Sequence, residues 1–157
     1  MPVDTRKVKG RRQLDYRSYE ELLADADRLA AGGVKTLGNW SAGQVFGHLA
    51  NAYNASIDGF KFGLPWYLRL MARMFKKRLI AGAMPPGFNL PAEGSAIMVP
   101  GQTTTQDGLA ELHAAVARLR RELHRARNPA FGEMTNEEWD RIHLHHASLH
   151  MSFLVPE

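Results

Sequence analysis

The sequence contains no cysteine. That absence excludes a disulfide scaffold, a thiolate nucleophile and every cysteine-based zinc site, and it suits a reducing compartment. Long apolar runs are missing too. No stretch reaches about 18 consecutive hydrophobic residues, so no membrane span is expected. The basic opening, residues 1–12, is followed by no apolar h-region, so a secretory leader is not expected and the cytoplasm is the expected location. Helix-turn-helix, zinc-finger and RNA-binding aromatic signatures are also lacking. The net charge of +4 comes from cations scattered over residues 6–12, 69–78 and 118–127. The last two groups share helices with apolar faces, so a solvated helix surface accounts for them and nucleic acid is not an expected partner.

What is present fits one domain. A chain of 157 residues buries a proper core but leaves little room for a second unit. The expectation is a single domain over residues 1–157, with residues 1–17 as an exposed arm. Three sequence stretches carry the pattern of a capping box, in which a hydroxyl and a carboxylate or amide side chain satisfy free N–H groups reciprocally. They are Ser18 with Glu21, Ser41 with Gln44, and Thr135 with Glu138. The first opens a helix over 18–31, stopped by Gly32 and Gly33, and the second a helix over 42–58, stopped at Gly59. A further helix over 105–126 follows from the spacing of Leu109, Leu112, Val116, Leu119 and Leu123, the seam of a left-handed bundle.

Between these, residues 65–79 pair apolar Trp66, Leu68, Leu70, Met71, Met74, Phe75 and Leu79 with five basic residues. Such an amphipathic insert can lie on an anionic membrane, but in a compact domain a lid packed on the bundle is the expectation. Residues 82–104 contain Pro85, Pro86, Pro91 and Pro100, which exclude helix through most of the stretch. Their apolar members, among them Met84, Phe88, Leu90 and Met98, make a wall over a pocket the expected role. The reading is all-α: four long helices, a short amphipathic insert and a Pro/Gly-rich loop.

The last helix, expected over 135–154, holds the chemistry. Trp139, Ile142, His146, Leu149 and Phe153 form one stripe at helical spacing, and His143, His146 and His150 run beside it. Histidines four apart set two imidazoles about 5–6 Å apart at Cβ, within reach of one metal ion. A third ligand must come from elsewhere, and His48 is the candidate. Histidines beside an apolar stripe are more often hydrogen-bonded core residues. A cluster of neutral imidazoles without an acid partner is nevertheless hard to satisfy by hydrogen bonds alone. His145 points away by about 100° and is the weakest member. His113 and His124 lie among charges and belong to the surface. Asn51, one turn beyond His48, and His143 are candidates for orienting a ligand or touching substrate.

Trp40-Ser41-x-x-x-Val45-x-x-His48-Leu49 followed by His146-x-x-x-His150 resembles the DinB/YfiT-like superfamily of metalloenzymes. The likeness is closer to one branch known only as a domain of unknown function, through segments similar to residues 37–60 and 131–156. The resemblance implies a DinB-like four-helix bundle with a divalent metal (zinc, nickel or iron) on His48, His146 and His150 and water in an open position. It also implies a metal-dependent enzyme, a thiol S-transferase using a low-molecular-weight thiol or a hydrolase, acting on a small-molecule substrate. The alternative is a non-enzymatic stress-response or ligand-binding bundle, and a homodimer is expected in either case.

Overall fold

Two reciprocal caps decide where the histidine-bearing helices begin. In the computed structural model, which describes residues 2–87 and 92–157, the Ser41 hydroxyl accepts from the Gln44 N–H at 3.2 Å while the Gln44 amide oxygen accepts from the Ser41 N–H at 3.0 Å. Thr135 and Glu138 repeat the arrangement at 3.1 and 3.0 Å. The Ser18 box is only half formed. Its hydroxyl accepts from the Glu21 N–H, but the Glu21 carboxylate takes the Arg17 N–H instead. A competing donor one residue earlier explains the difference.

The elements in order are a 3-10 turn Thr5–Lys7, α1 Tyr19–Gly32, β1 Val34–Thr36, α2 Ala42–Asp58, α3 Trp66–Met74, α4 Lys76–Ala81, α5 Ala92–Met98, α6 Thr105–Arg121, α7 Asn136–Met151 and β2 Leu154–Pro156. The chain is mostly helical. Gly33 and Gly59 end α1 and α2 at φ of 87° and 97°, where a side chain would be strained. The long helix α2 packs most extensively on α6 and also touches α7, while α1 covers α6 and α7. Closeness at the α2–α6 crossing depends on two glycines. A Cβ at Gly108 would lie 2.3 Å from the Gly43 carbonyl oxygen, and one at Gly43 would lie 2.3 Å from that of Thr103. One core runs through these helices, with Leu22, Leu29, Phe46, Leu49, Tyr53, Leu112, Val116 and Met151 fully buried.

Several expectations are corrected. The Pro-rich stretch does hold a helix, α5, because its seven residues contain no proline and proline opposes helix only from inside. The expected packing of Phe88 and Leu90, and the helix-breaking role of Pro91, lie outside the described residues. Helix α6 ends at Arg121 rather than 126, and Leu123 is 75% exposed. There Arg125 donates to the carbonyls of Leu119 and Glu122, and the Ala126 N–H is drawn to the Ser56 carbonyl at 2.8 Å. A short strand follows α1, where no element was expected. Val34, Lys35 and Thr36 pair antiparallel with Pro156, Val155 and Leu154, and this pairing stops α7 at Met151 rather than 154.

The insert packs on the bundle only in part. It breaks at Phe75 into α3 and α4, and α3 buries no residue. Only α4 is anchored. Ile80 enters a small cluster with Trp139 and Ile142, and the Lys76 ammonium bonds the Glu138 carboxylate and the Glu133 carbonyl, both at 2.8 Å. The expected exposed arm is tied down along its second half. Tyr16 is buried, the Arg12 guanidinium forks onto the Asp25 carboxylate at 2.7 and 2.9 Å, and the Arg12 N–H reaches the Ser152 carbonyl at 3.0 Å.

Candidate metal centre

His48 lies at the end of the second turn of α2, buried, with its ring fixed from the far side of the sequence. Its Nδ1 stands 2.8 Å from the Met98 carbonyl oxygen at the end of α5. A carbonyl only accepts, so Nδ1 carries the proton and Nε2 presents a bare lone pair. That Nε2 lies 3.1 Å from His146 Nε2 on α7. One turn later His150 closes the group, its ring centroid 4.5 Å from His48 and 4.6 Å from His146. One ring nitrogen from each of the three lies within 4.8 Å of the other two. This is the constellation the spacing and the resemblance pointed to: His48, His146 and His150 meet, and they could hold a metal ion.

The surroundings keep all three neutral. Burial pushes His48 below its ordinary value, against the bond to Met98. Burial pulls His146 well down, with the charges of His150 and His48 adding to it. Burial lowers His150 to about 3, helped by His48 and by the nearby Arg11 cation. Neutral imidazoles are the form that binds a divalent ion. An ion at about 2.0–2.1 Å from each nitrogen needs them about 3.4 Å apart in a tetrahedral arrangement. The pair at 3.1 Å is already near that spacing, and the others, within 4.8 Å, need to contract by at most roughly 1–1.5 Å. No Asp or Glu joins the cluster among the described residues.

Trp40 walls one side. It stacks on His150 with centroids 5.2 Å apart and planes 9° apart, and it leans on His48 at 4.8 Å. The strand pair explains its place. The Leu37 N–H bonds the Phe153 carbonyl at 2.9 Å, which brings the turn before α2 over the end of α7. Arg11 lies near enough to His150 to influence its charge, 4.3 Å above the Phe153 ring and bonded to the Ser152 hydroxyl at 2.8 and 3.0 Å.

The remaining candidates separate. Asn51 donates to the same Met98 carbonyl at 3.4 Å, so it touches the group that orients His48. His143 turns into the core instead. Its Nε2 meets the Ser56 hydroxyl at 3.0 Å, its ring packs on Tyr53 and Trp139, and burial lowers it to about 3. The expected apolar stripe of α7 is thus rotated. Trp139, Ile142, His143, Leu144, Ala147 and Met151 face the core, while His146, Leu149 and His150 are only half-buried. His145 lies outside the cluster, in a cleft with Asp15, Arg17 and Glu137. A cavity of about 170 Å³ behind Met98 is lined by Asn51, Asn54, Phe60, Phe62 and Ile97. Residues 65–79 do not line it.

Sequence reasoning used Trp40 only as part of a motif and Met98 only as an apolar wall residue, and gave neither a part in orienting the histidines. Trp40 had a signal, since it immediately precedes the Ser41 cap and so sits beside the first turns of the histidine helix. Met98 had none, because a backbone carbonyl leaves no trace in residue types.

A family model described as "Protein of unknown function (DUF1569)" matches residues 8–157, so the chain belongs to that family. No curated protein matches it. No solved structure does either.

Proposed function

We propose that this member of the DUF1569 family is a metal-dependent enzyme in which His48, His146 and His150 hold one divalent ion, zinc, nickel or iron(II). The convergence of three neutral imidazole nitrogens within 4.8 Å carries the reading. It gains support from the Met98 carbonyl, which fixes one His48 tautomer so that a lone pair faces its neighbours. We read the four long helices as the DinB-like four-helix bundle implied by the motif resemblance, and residues 1–157 as one domain that works in the cytoplasm as a homodimer.

Bound there, such an ion would supply Lewis acidity and lower the pKa of a water or thiol reaching its open position. The chain's own residues do the rest. Trp40 holds the planes of His48 and His150 and keeps water from that side. Asn51, through the Met98 carbonyl, is a positioning residue for His48. With no carboxylate in the cluster among the described residues, we read the chemistry at the ion as relying on an activated thiol or water rather than on a carboxylate base. The substrate class is a small molecule, with transfer of a low-molecular-weight thiol or hydrolysis as the reaction.

The test is metal content together with thiol-transfer and hydrolysis assays on protein purified without chelator. Wild type is expected to carry about one ion per chain, and His48→Ala to carry almost none and to lose activity, since each ligand is needed for a three-histidine site. An ion-free wild type, or a His48→Ala protein with undiminished metal, overturns the proposal.

A further inference from the structure

Eight of the eleven large hydrophobic side chains exposed among the described residues crowd into residues 66–79: Trp66, Tyr67, Leu68, Leu70, Met71, Met74, Phe75 and Leu79. Trp66 and Met74 stand 72% and 70% exposed. Contiguous apolar surface of this kind marks a binding face rather than ordinary scatter. The helix is turned deliberately outward. At about 100° per residue, Trp66, Leu70, Met74, Tyr67 and Met71 fill one arc of α3, while Arg69 and Arg73 lie beside it. The inner side is small and basic: Ala72 is half-buried, and the Arg73 guanidinium lies against Gly132.

Charge selects the occupant. From residue 59 to 92 the chain carries Lys61, Arg69, Arg73, Lys76, Lys77 and Arg78 and no acidic residue. Lys76 anchors α4 to α7, but the other five form no ion pair among the described residues. A second copy of this chain fits poorly, because an isologous contact would bring two such sets of cations together with no acid between them. Nucleic acid would neutralise the cations and leave the apolar arc in water. An anionic lipid surface answers both features, with apolar side chains in the acyl boundary, Trp66 and Tyr67 at headgroup level and long cations reaching phosphates.

We propose that the insert formed by α3 and α4 seats the protein on an anionic membrane surface through the outward apolar arc of α3 and the unpaired cations around it. This stands independently of the metal reading. No helix among the described residues is long and apolar enough to cross a membrane, so the contact is peripheral.

The experiment is sedimentation of the full chain with vesicles of phosphatidylcholine alone or with about 30% phosphatidylserine. The chain is expected to pellet with the anionic vesicles at roughly tenfold higher affinity than with neutral ones, and less so as salt rises. The variant Leu70→Glu with Met74→Glu is expected to stay in the supernatant with an unchanged melting temperature. Arg69→Glu with Lys77→Glu, which leaves the apolar arc intact, is expected to weaken anionic binding by about tenfold or more. Failure of the wild type to pellet, or pelleting of the Leu70/Met74 variant like the wild type, overturns the proposal. So does a lipid-free dimer that this variant abolishes, which would assign the face to a second copy.

Discussion

The histidine-bearing ends of α2 and α7 and the insert at residues 66–81 break the same sorting rule in opposite directions. At the first, three imidazoles sit against the core; at the second, eight large apolar side chains face solvent. Polar groups inside and apolar groups outside are both costly unless something answers them. The difference lies in what the protein itself supplies. Around the histidines it provides orientation: a carbonyl on His48, a tryptophan stacked on His150 and a strand pair holding the turn in place. Around α3, among the described residues, it provides little beyond the anchor at Lys76 and Ile80 on α4 and the approach of Arg73 to Gly132. A preorganised cluster suits a small ligand that fills one point. An unsupported face suits an extended surface that needs no such precision.

The largest expected effect comes from filling that point. Zinc added to metal-free protein stabilises only the folded state, by about 4 kcal/mol when its free concentration is a thousand times Kd. Thermal melts should show that gain in the wild type and in Leu70→Glu, and no gain in His48→Ala. Equal shifts in wild type and His48→Ala would place the ion elsewhere and dissolve the contrast between the two regions.

The contrast was half legible in the sequence. The caps at Ser41 and Thr135 and the i, i+4 pair His146 and His150 are local signals, and the helices they announce are present. His48 was named as the candidate third ligand, but nothing in its neighbourhood distinguishes a ligand from a core histidine, and the resemblance gave it most of its support. The rotated face of α7 was missed because His143, Ala147 and Met151 make an equally good helical stripe. Only packing against Tyr53 and Ser56 chooses between them. The insert's amphipathicity was plain, yet periodicity says that a face exists and not which way it turns. The strand pair escaped because three-residue strands carry too few residues for an alternation to register.

A smaller effect tests what holds the histidine end together. Arg12 and Tyr16 bind the Asp25 carboxylate, and Arg12 also donates to the Met151 carbonyl at 3.1 Å, one residue beyond His150. Burial alone would raise Asp25, but hydrogen bonds from Arg12, Tyr16 and Arg28 outweigh it and hold the carboxyl at about 2. A depressed carboxyl stabilises the fold above its unfolded value near 4 and loses that contribution as pH falls from about 4 to about 2. The loss should be about 2 kcal/mol by denaturant unfolding at stepped pH. Asp25→Asn should remove this part of the acid dependence. An unchanged pH profile in that variant would mean the arm is held by Tyr16 burial alone.

The smallest effect is expected at the insert, and its smallness is the point. Leu70 is 54% exposed and Leu49 fully buried, so the two leucines differ in burial rather than in chemistry. Leu49→Ala should cost about 2–5 kcal/mol, the transfer term plus a cavity. Leu70→Glu should stay within about 0.5 kcal/mol of wild type, because no packed neighbour is lost. Urea unfolding measures both. A Leu70→Glu penalty near that of Leu49→Ala would show that α3 packs on the domain in solution, and the outward face would then be an inner one. A negligible penalty leaves an apolar face that contributes nothing to folding, and a face the fold does not need is one retained for what binds it.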